Sequence, residues 1–211
     1  TICNYLSNQA STLICSMFFT LSETGIYSLG VQIASAISTV ASALYSAYQP
    51  TLQAAYVRQD KDKMRNTMSM VVVTYILMFA FGLAGTLLIG LPILRLIKPE
   101  TIVSVPILLG LSLYQFILKF RNCYTSYFSC TNRIWYVRSF AISAIICILL
   151  SLLFTGCFRW GMWGMIFAQI ISQAIYNMWA WALKAHIELQ LSYFQMFKYV
   201  VGRWVKKSES Y

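Results

Sequence analysis

The chain has 211 residues, 59% of them hydrophobic and 10% charged, with a mean hydropathy of +0.65. A water-soluble domain carries about 25% charged residues, so the composition excludes a soluble globule and points to an integral membrane protein with several spans. The net charge of +10 would suit nucleic acid only if the basic residues formed a patch interleaved with aromatics; they lie instead between apolar runs.

A bilayer is crossed by about 20 apolar residues, and six such runs are predicted as helices at roughly 2–21, 26–50, 68–94, 102–130, 138–157 and 161–183. The first opens on Thr1 without a Met, which reads as a fragment or trimmed chain, and has no cleavable signal pattern. The second carries Gln32, Ser35, Thr39, Ser42, Ser46 and Gln49 at alternating spacings of three and four, all on one helix face. With Ser28 and Gln53 the polar line is about 37 Å long at 1.5 Å per residue, enough to cross the hydrocarbon. Polar groups do not face acyl chains without cost. Two readings stay open: close helix packing through small residues such as Ala34, Ser38 and Ala41, or a hydrated cavity, which the Gln amides favour because each needs several partners.

The third run lies between Arg65 and Arg95. The fourth repeats the polar device with Ser112, Gln115, Lys119, Asn122, Ser126, Ser129 and Arg133, and Arg121 on a neighbouring face. If this helix ends near Phe120, Lys119 and Arg121 snorkel to the interface. If it continues to the Asn132-Arg133 turn, both are embedded, at a cost of at least about 3 kcal/mol each. A water-filled cavity that holds an anion would justify that cost. The fifth run is the most uniformly apolar. The sixth opens on Gly161 and Gly164, which allow a tight turn and close helix contact, and carries a polar edge of Gln169, Gln173 and Tyr176.

In the tail, 184–211, Phe194, Phe197, Val201 and Trp204 recur at helical spacing beside Lys198, Lys206 and Lys207. This predicts an amphipathic helix lying on the inner leaflet. His186, at the junction, reads as a surface residue without chemistry.

The cations cluster in alternate connections. Arg58, Lys61, Lys63 and Arg65 fall in the second, Arg133 and Arg138 in the fourth, and Lys184, Lys198, Arg203, Lys206 and Lys207 in the tail. The first connection has none, the third Arg95 and Lys98, the fifth Arg159. The positive-inside rule then sets both termini of the segment in the cytoplasm. The acids Glu23, Asp60, Asp62, Glu100, Glu188 and Glu209 all fall in connections or the tail. A cation-coupled antiporter normally keeps an acid within a span, so the balance favours an anionic or polyhydroxylated cargo over a cationic drug. Six cysteines without a C-x-x-C pair read as packing residues, and no metal or cofactor site is expected. No catalytic constellation is present, so no enzymatic activity is expected.

LSETGIYSLGVQIAS, YQPTLQAAYVRQDKDKMRNTM, the CTNRIWYVRS turn and the GMWGMIFAQIIS hairpin resemble, in the same order, the C-terminal half of the O-antigen and polysaccharide flippases. These belong to the superfamily that also holds multidrug exporters and lipid II flippases. The resemblance covers about 1–183. It implies an all-α membrane protein: six transmembrane helices forming one lobe of a two-lobe MATE-like fold that rocks around a central cavity. It further implies a missing N-terminal six-span half and a bacterial inner-membrane location. The implied cargo is an undecaprenyl-pyrophosphate-linked oligosaccharide flipped outward for surface polysaccharide synthesis. It extends the fourth helix to about Cys130, which favours embedded Lys119 and Arg121. Cavity residues are then expected to include Lys119, Arg121, Gln115, Asn122, Gln32, Ser35, Thr39, Ser42 and Gln49. One departure is that members often have an acid in the first span of this half, where Ser11 and Thr12 stand here, so the coupling ion is unexplained. A cation-coupled multidrug antiporter of the same fold and a non-transporting partner subunit are the alternatives.

Overall fold

The computed structural model describes residues 2–97 and 103–208, with side chains described except at 2–9, 44 and 201–208. The described residues are helical with no strand. In chain order the helices are α1 (Ile2–Phe18), α2 (Leu21–Val57), α3 (Lys61–Gly85), α4 (Leu91–Ile97), α5 (Val105–Cys130), α6 (Tyr136–Leu152), α7 (Gly161–Ala174), α8 (Asn177–Leu189) and α9 (Tyr193–Ser208).

Local chemistry sets the boundaries. α2 starts before the apolar run because Thr20 and Glu23 form a capping box: the Thr20 hydroxyl accepts from the Glu23 N–H, and the Glu23 carboxylate accepts from the Thr20 N–H at 3.0 Å. The helix then runs through Pro50 to Val57, beyond the predicted end at 50. Pro50 removes one backbone bond without ending it. Between α3 and α4 the chain widens into a π turn, Thr86–Gly90, where the Leu91 N–H reaches back to the Thr86 carbonyl. Pro92 follows directly; its ring would crowd the carbonyl four residues back, and the wider turn relieves that clash. A second π turn, Leu153–Cys157, closes α6. α2, α5 and α8 end on Gln59, Asn132 and Gln190, all with positive φ. In each the next N–H bonds five residues back: Asp60 to Ala55, Arg133 to Phe128 and Leu191 to His186, the helix-ending motif usually built on glycine.

The run predicted as a single span at 161–183 is two helices. Ile175 still bonds to Ile171, but Tyr176 (φ −143°) leaves the helical region and α8 starts at Asn177. The Trp179 indole donates to the Ala174 carbonyl at 3.2 Å, satisfying a group the break would strand.

The connections alternate between two ends of the bundle. At one end Arg65 Nε donates to the Leu189 carbonyl at 2.7 Å, and Arg133 Nη1 to both Glu188 oxygens at 2.9 and 3.0 Å. These bonds bring 58–60, 131–135 and 190–192 together. At the other end Gly156 lies against Phe18, and Val103 joins Leu91, Ile26 and Leu29 in one apolar cluster. Lys98 and Glu100 of the third connection, and Val201 and Trp204 of the predicted tail stripe, lie outside the described residues or side chains.

α5 is the central helix, in contact with α2, α3, α7 and α8. The main core joins Met68 and Tyr75 of α3, Cys123 and Tyr124 of α5, Trp181 of α8 and Met196 of α9. A second core joins Ile14 and Cys15 of α1, Tyr27 and Ala34 of α2, Leu111 of α5 and Met165 and Ile166 of α7. α2 packs through its small residues Gly30, Ala34, Ser38 and Ala41, all buried. A Cβ at Gly30 would stand 2.8 Å from the Leu111 side chain, so the helices approach as closely as small residues allow. α9 docks through Met196 and Val200 and leaves Phe194 (81% exposed) and Phe197 outside.

Among the described residues, three helical stretches are long and apolar enough to cross a membrane: Leu21–Val57, Lys61–Ile97 and Tyr136–Cys157. α1 is 17 residues long, below the usual span. α5 is long enough, at 26 residues, but its polar stripe dilutes it. The chain is therefore an all-α membrane protein by the character of its helices.

Candidate functional site

The two polar stripes have different surroundings. On α2, Gln32, Thr39 and Ser46 are exposed, Ser35 and Gln49 half-buried, and Ser42 buried. The serines look after themselves: Ser42 donates to the Thr39 carbonyl at 3.0 Å, and Ser46 to the Ser42 carbonyl at 3.2 Å, the local back-bonding open to any helical serine. The glutamine amides and Thr39 form the open polar face. The face that packs is the neighbouring small-residue one.

On α5 the stripe is largely enclosed. Ser112, Gln115 (4% exposed) and Ser126 are buried, while Lys119 and Asn122 are half-buried. Arg121 is 1% exposed. Its Nη1 donates to the Gln173 amide oxygen of α7, and its guanidinium carbon lies 3.6 Å from the centre of the Phe140 ring of α6. The helix extends to Cys130, as the resemblance implies, so Arg121 sits in mid-helix and does not snorkel out. In this conformation Arg121 and Gln115 lie inside helix packing and line no open surface. The reason is local: the Gln173 amide and the Phe140 ring give the cation a polar contact and a π face in place of water.

The polar edge of the sixth run is Gln169, Gln173 and Asn177, four residues apart and all buried, whereas the expected Tyr176 is exposed at the helix break. Each member bonds a different neighbour. Gln169 Nε2 donates to Ser11 Oγ of α1 and the Tyr27 hydroxyl of α2, both at 3.0 Å. Gln173 holds Arg121 of α5. Asn177 donates to Ser143 Oγ of α6 at 2.6 Å and accepts from the Trp181 indole at 3.2 Å. Within a bilayer such side chains tie helices together. The Ser112 and Tyr114 hydroxyls of α5 and Gln169 Oε1 of α7 are buried with no hydrogen-bond partner, so packing leaves polar capacity unused around α5.

His186 is not a free surface residue. Its Nδ1 bonds the Leu191 carbonyl at 2.7 Å and its Nε2 the Tyr124 hydroxyl at 3.1 Å. A carbonyl cannot donate, so Nδ1 carries a proton. His186 thereby fastens the α8–α9 junction to α5. Its place in the last turn of a helix, where cations and donors meet free carbonyls, was the available clue.

Two hollows accompany these contacts. A polar one of about 270 Å³ lies at the Arg65–Arg133–Glu188 end. A mainly apolar groove of about 950 Å³ runs between α5 and α7–α8. Among the described residues, no three His, Cys, Asp or Glu gather at metal-binding distance. Cys123 and Cys130 are unpaired thiols.

Comparisons with family models, curated proteins and solved structures return no match to this chain. The class these observations define is that of an all-helical membrane protein with internal polar contacts.

Proposed function

We propose that the chain is a six-span lobe of a transporter that moves a lipid-linked oligosaccharide across a membrane by alternating access, with a second six-span lobe completing the cavity. The observation that carries this reading is the open polar face of α2. Gln32 and Thr39 stand exposed in mid-helix, on a helix apolar enough to span. Amides do not rest against acyl chains, so this face borders water or another lobe. The unused buried hydroxyls of Ser112 and Tyr114 support a lobe that also adopts a second, wetter arrangement. Carboxylates confined to helix ends and connections, such as Glu23 and Asp62 in the first turns of α2 and α3, support an anionic cargo such as a pyrophosphate-linked glycan. Lys119 and Asn122, half-buried on α5, with Gln32, Ser35, Thr39 and Gln49 of α2, would meet it; Arg121 and Gln115 would brace the lobe behind them. The joining of the basic connections at one end supports cytoplasmic termini under the positive-inside rule, in a bacterial inner membrane.

The test is reconstitution of the intact protein in liposomes with an undecaprenyl-pyrophosphate oligosaccharide in one leaflet. Appearance of the sugar in the other leaflet is expected. Efflux of cationic dyes that collapses with the ion gradient would indicate the antiporter instead, and no movement of either cargo the partner subunit.

A further inference from the structure

We propose that the polar hollow where the basic connections meet is a binding site for a phosphate monoester. It lies at one end of the bundle, beyond the mid-helix polar face of α2, and takes this ligand whatever cargo the chain moves.

Three observations point to that chemistry. The first is charge. Lys61, Arg65 and Arg133 line the hollow against one acid, Glu188, an excess of two positive charges. Asp62 touches Arg65 at 3.3 Å, but its side chain is 84% exposed and does not line the hollow. A phosphate monoester carries about −1.5 to −2 at pH 7, which matches the excess.

The second is which groups are already engaged. Arg133 Nη1 donates to both Glu188 oxygens, and the Arg65 guanidinium to the Leu189 carbonyl and Gln190 Oε1. The Ala55, Phe128 and His186 carbonyls, which end α2, α5 and α8, accept from N–H groups of their own connections. The strong acceptors around the hollow are thus taken, and donors remain. Among the described residues, the Lys61 ammonium, Arg133 Nε and Nη2 and the Gln190 amide nitrogen have no hydrogen-bond partner. A hollow with open donors and engaged acceptors selects an anion over a cation. Arginine usually meets a carboxylate through two nitrogens. Here one nitrogen meets both oxygens, so the Nε–Nη2 fork, whose geometry suits phosphate, stays open.

The third is size and rigidity. The hollow holds about 270 Å³, just under the roughly 300–1,000 Å³ of ordinary small-molecule sites. It admits a phosphoryl group with a short alcohol portion and is too small for an oligosaccharide. Arg65 is fixed to the end of α8 at 2.7 and 3.1 Å, and Met64 and Tyr127 of the lining are buried. Glu188 holds the place of the ligand, so a phosphate competes with its carboxylate for Arg133.

The measurement is isothermal titration calorimetry of the intact protein in an uncharged detergent, with glycerol 3-phosphate as the probe and ionic strength held constant with chloride. Saturable binding is expected. Arg133→Gln should weaken it by about tenfold, what one hydrogen bond to a charged group is worth. Lys61→Gln should also weaken it; Lys61 is exposed at the start of α3, so its variant tests the site even if the Arg133 variant misfolds. Glu188→Gln removes the competing carboxylate and should tighten binding by about two- to fivefold, the worth of the exposed pair that phosphate no longer has to break. Arg95→Gln, exposed in the last turn of α4, should change nothing. An ion pair that only fastens two connections predicts otherwise: Arg133→Gln and Glu188→Gln would lower the unfolding midpoint alike, with no phosphate binding to move. Absence of saturable binding, or an affinity indifferent to both the Arg133 and Lys61 variants, overturns the proposal. A soluble ester and a phosphomonoester lipid headgroup share this chemistry, and nanodiscs of phosphatidylcholine with and without phosphatidic acid separate them. Displacement of glycerol 3-phosphate by phosphatidic acid assigns the site to the headgroup, and undisturbed binding assigns it to the soluble ester; both uphold the site.

Discussion

Replacing Gln173 by Leu removes the amide that accepts from Arg121 and sets an apolar side chain beside the buried guanidinium. A hydrogen bond to a charged group is worth about 1.5–3 kcal/mol in soluble proteins. Bonds between membrane helices average about 0.6 and reach about 1.7 kcal/mol, because separated helices find other partners. Arg121 is 1% exposed and charged, so the upper part of the membrane range applies, plus a penalty for the charge left poorly solvated. Gln173→Leu should destabilise by about 2–3 kcal/mol. Arg121→Met loses the same bond and the ring contact but also removes the buried charge, so its cost should be smaller, about 1 kcal/mol. The double variant should cost less than the sum of the two, with a coupling of about 1–2 kcal/mol. In thermal unfolding in detergent, at about 2–4 °C per kcal/mol for a chain of this size, Gln173→Leu should lower the midpoint by roughly 4–12 °C. Single variants within about 0.5 kcal/mol of wild type and additive in the double would refute the placement of Arg121 inside the packing.

Asn177→Leu leaves Ser143 and the Trp181 indole without their partner and should cost about 1–3 kcal/mol, read by the same unfolding assay; Asn177→Ser should recover part of it. Gly164→Ala should cost about 1–3 kcal/mol, since the new Cβ meets backbone atoms of Phe154 at 3.2 Å, which cannot swing aside as a side chain can. The Glu23 carboxyl is held below its usual value by the Thr20 N–H and then the Thr20 hydroxyl. The capping contribution is therefore complete above the unfolded-state carboxyl value, near 4.3, and fades as pH falls through the lower folded value. Amide exchange at Glu23 and Thr24, measured relative to the intrinsic rate, should lose protection on acidification, and Glu23→Gln should flatten that dependence.

The all-helical character of the chain was legible because apolar runs of helical length alternate with polar connections, but the division into helices was not, since the run at 161–183 is two helices. Helix ends were only partly legible. The start of α2 is written in Thr20 and Glu23, three positions apart, but outside the apolar run. The break at Tyr176 has no glycine or proline to announce it. Spacing alone correctly placed Gln32 and its companions on one face, and Gln115 and its companions on another. It could not tell which face meets neighbours, because the same serine suits packing and water equally. Arg121 shows the limit most sharply: its enclosure depends on Gln173, 52 positions away, and on the Phe140 ring, which no local pattern connects to it. His186 was missed for the same reason, its partner Tyr124 lying 62 positions off.

The account depends on water reaching one flank of α2, and single cysteines along that helix, labelled in sealed vesicles by a membrane-impermeant maleimide, test it most directly. Gln32→Cys, Thr39→Cys and Ser46→Cys should react, while Ala34→Cys, Ser38→Cys and Ala41→Cys, on the packed face, should stay protected. Protection at all six positions, or reaction without regard to face, would contradict it.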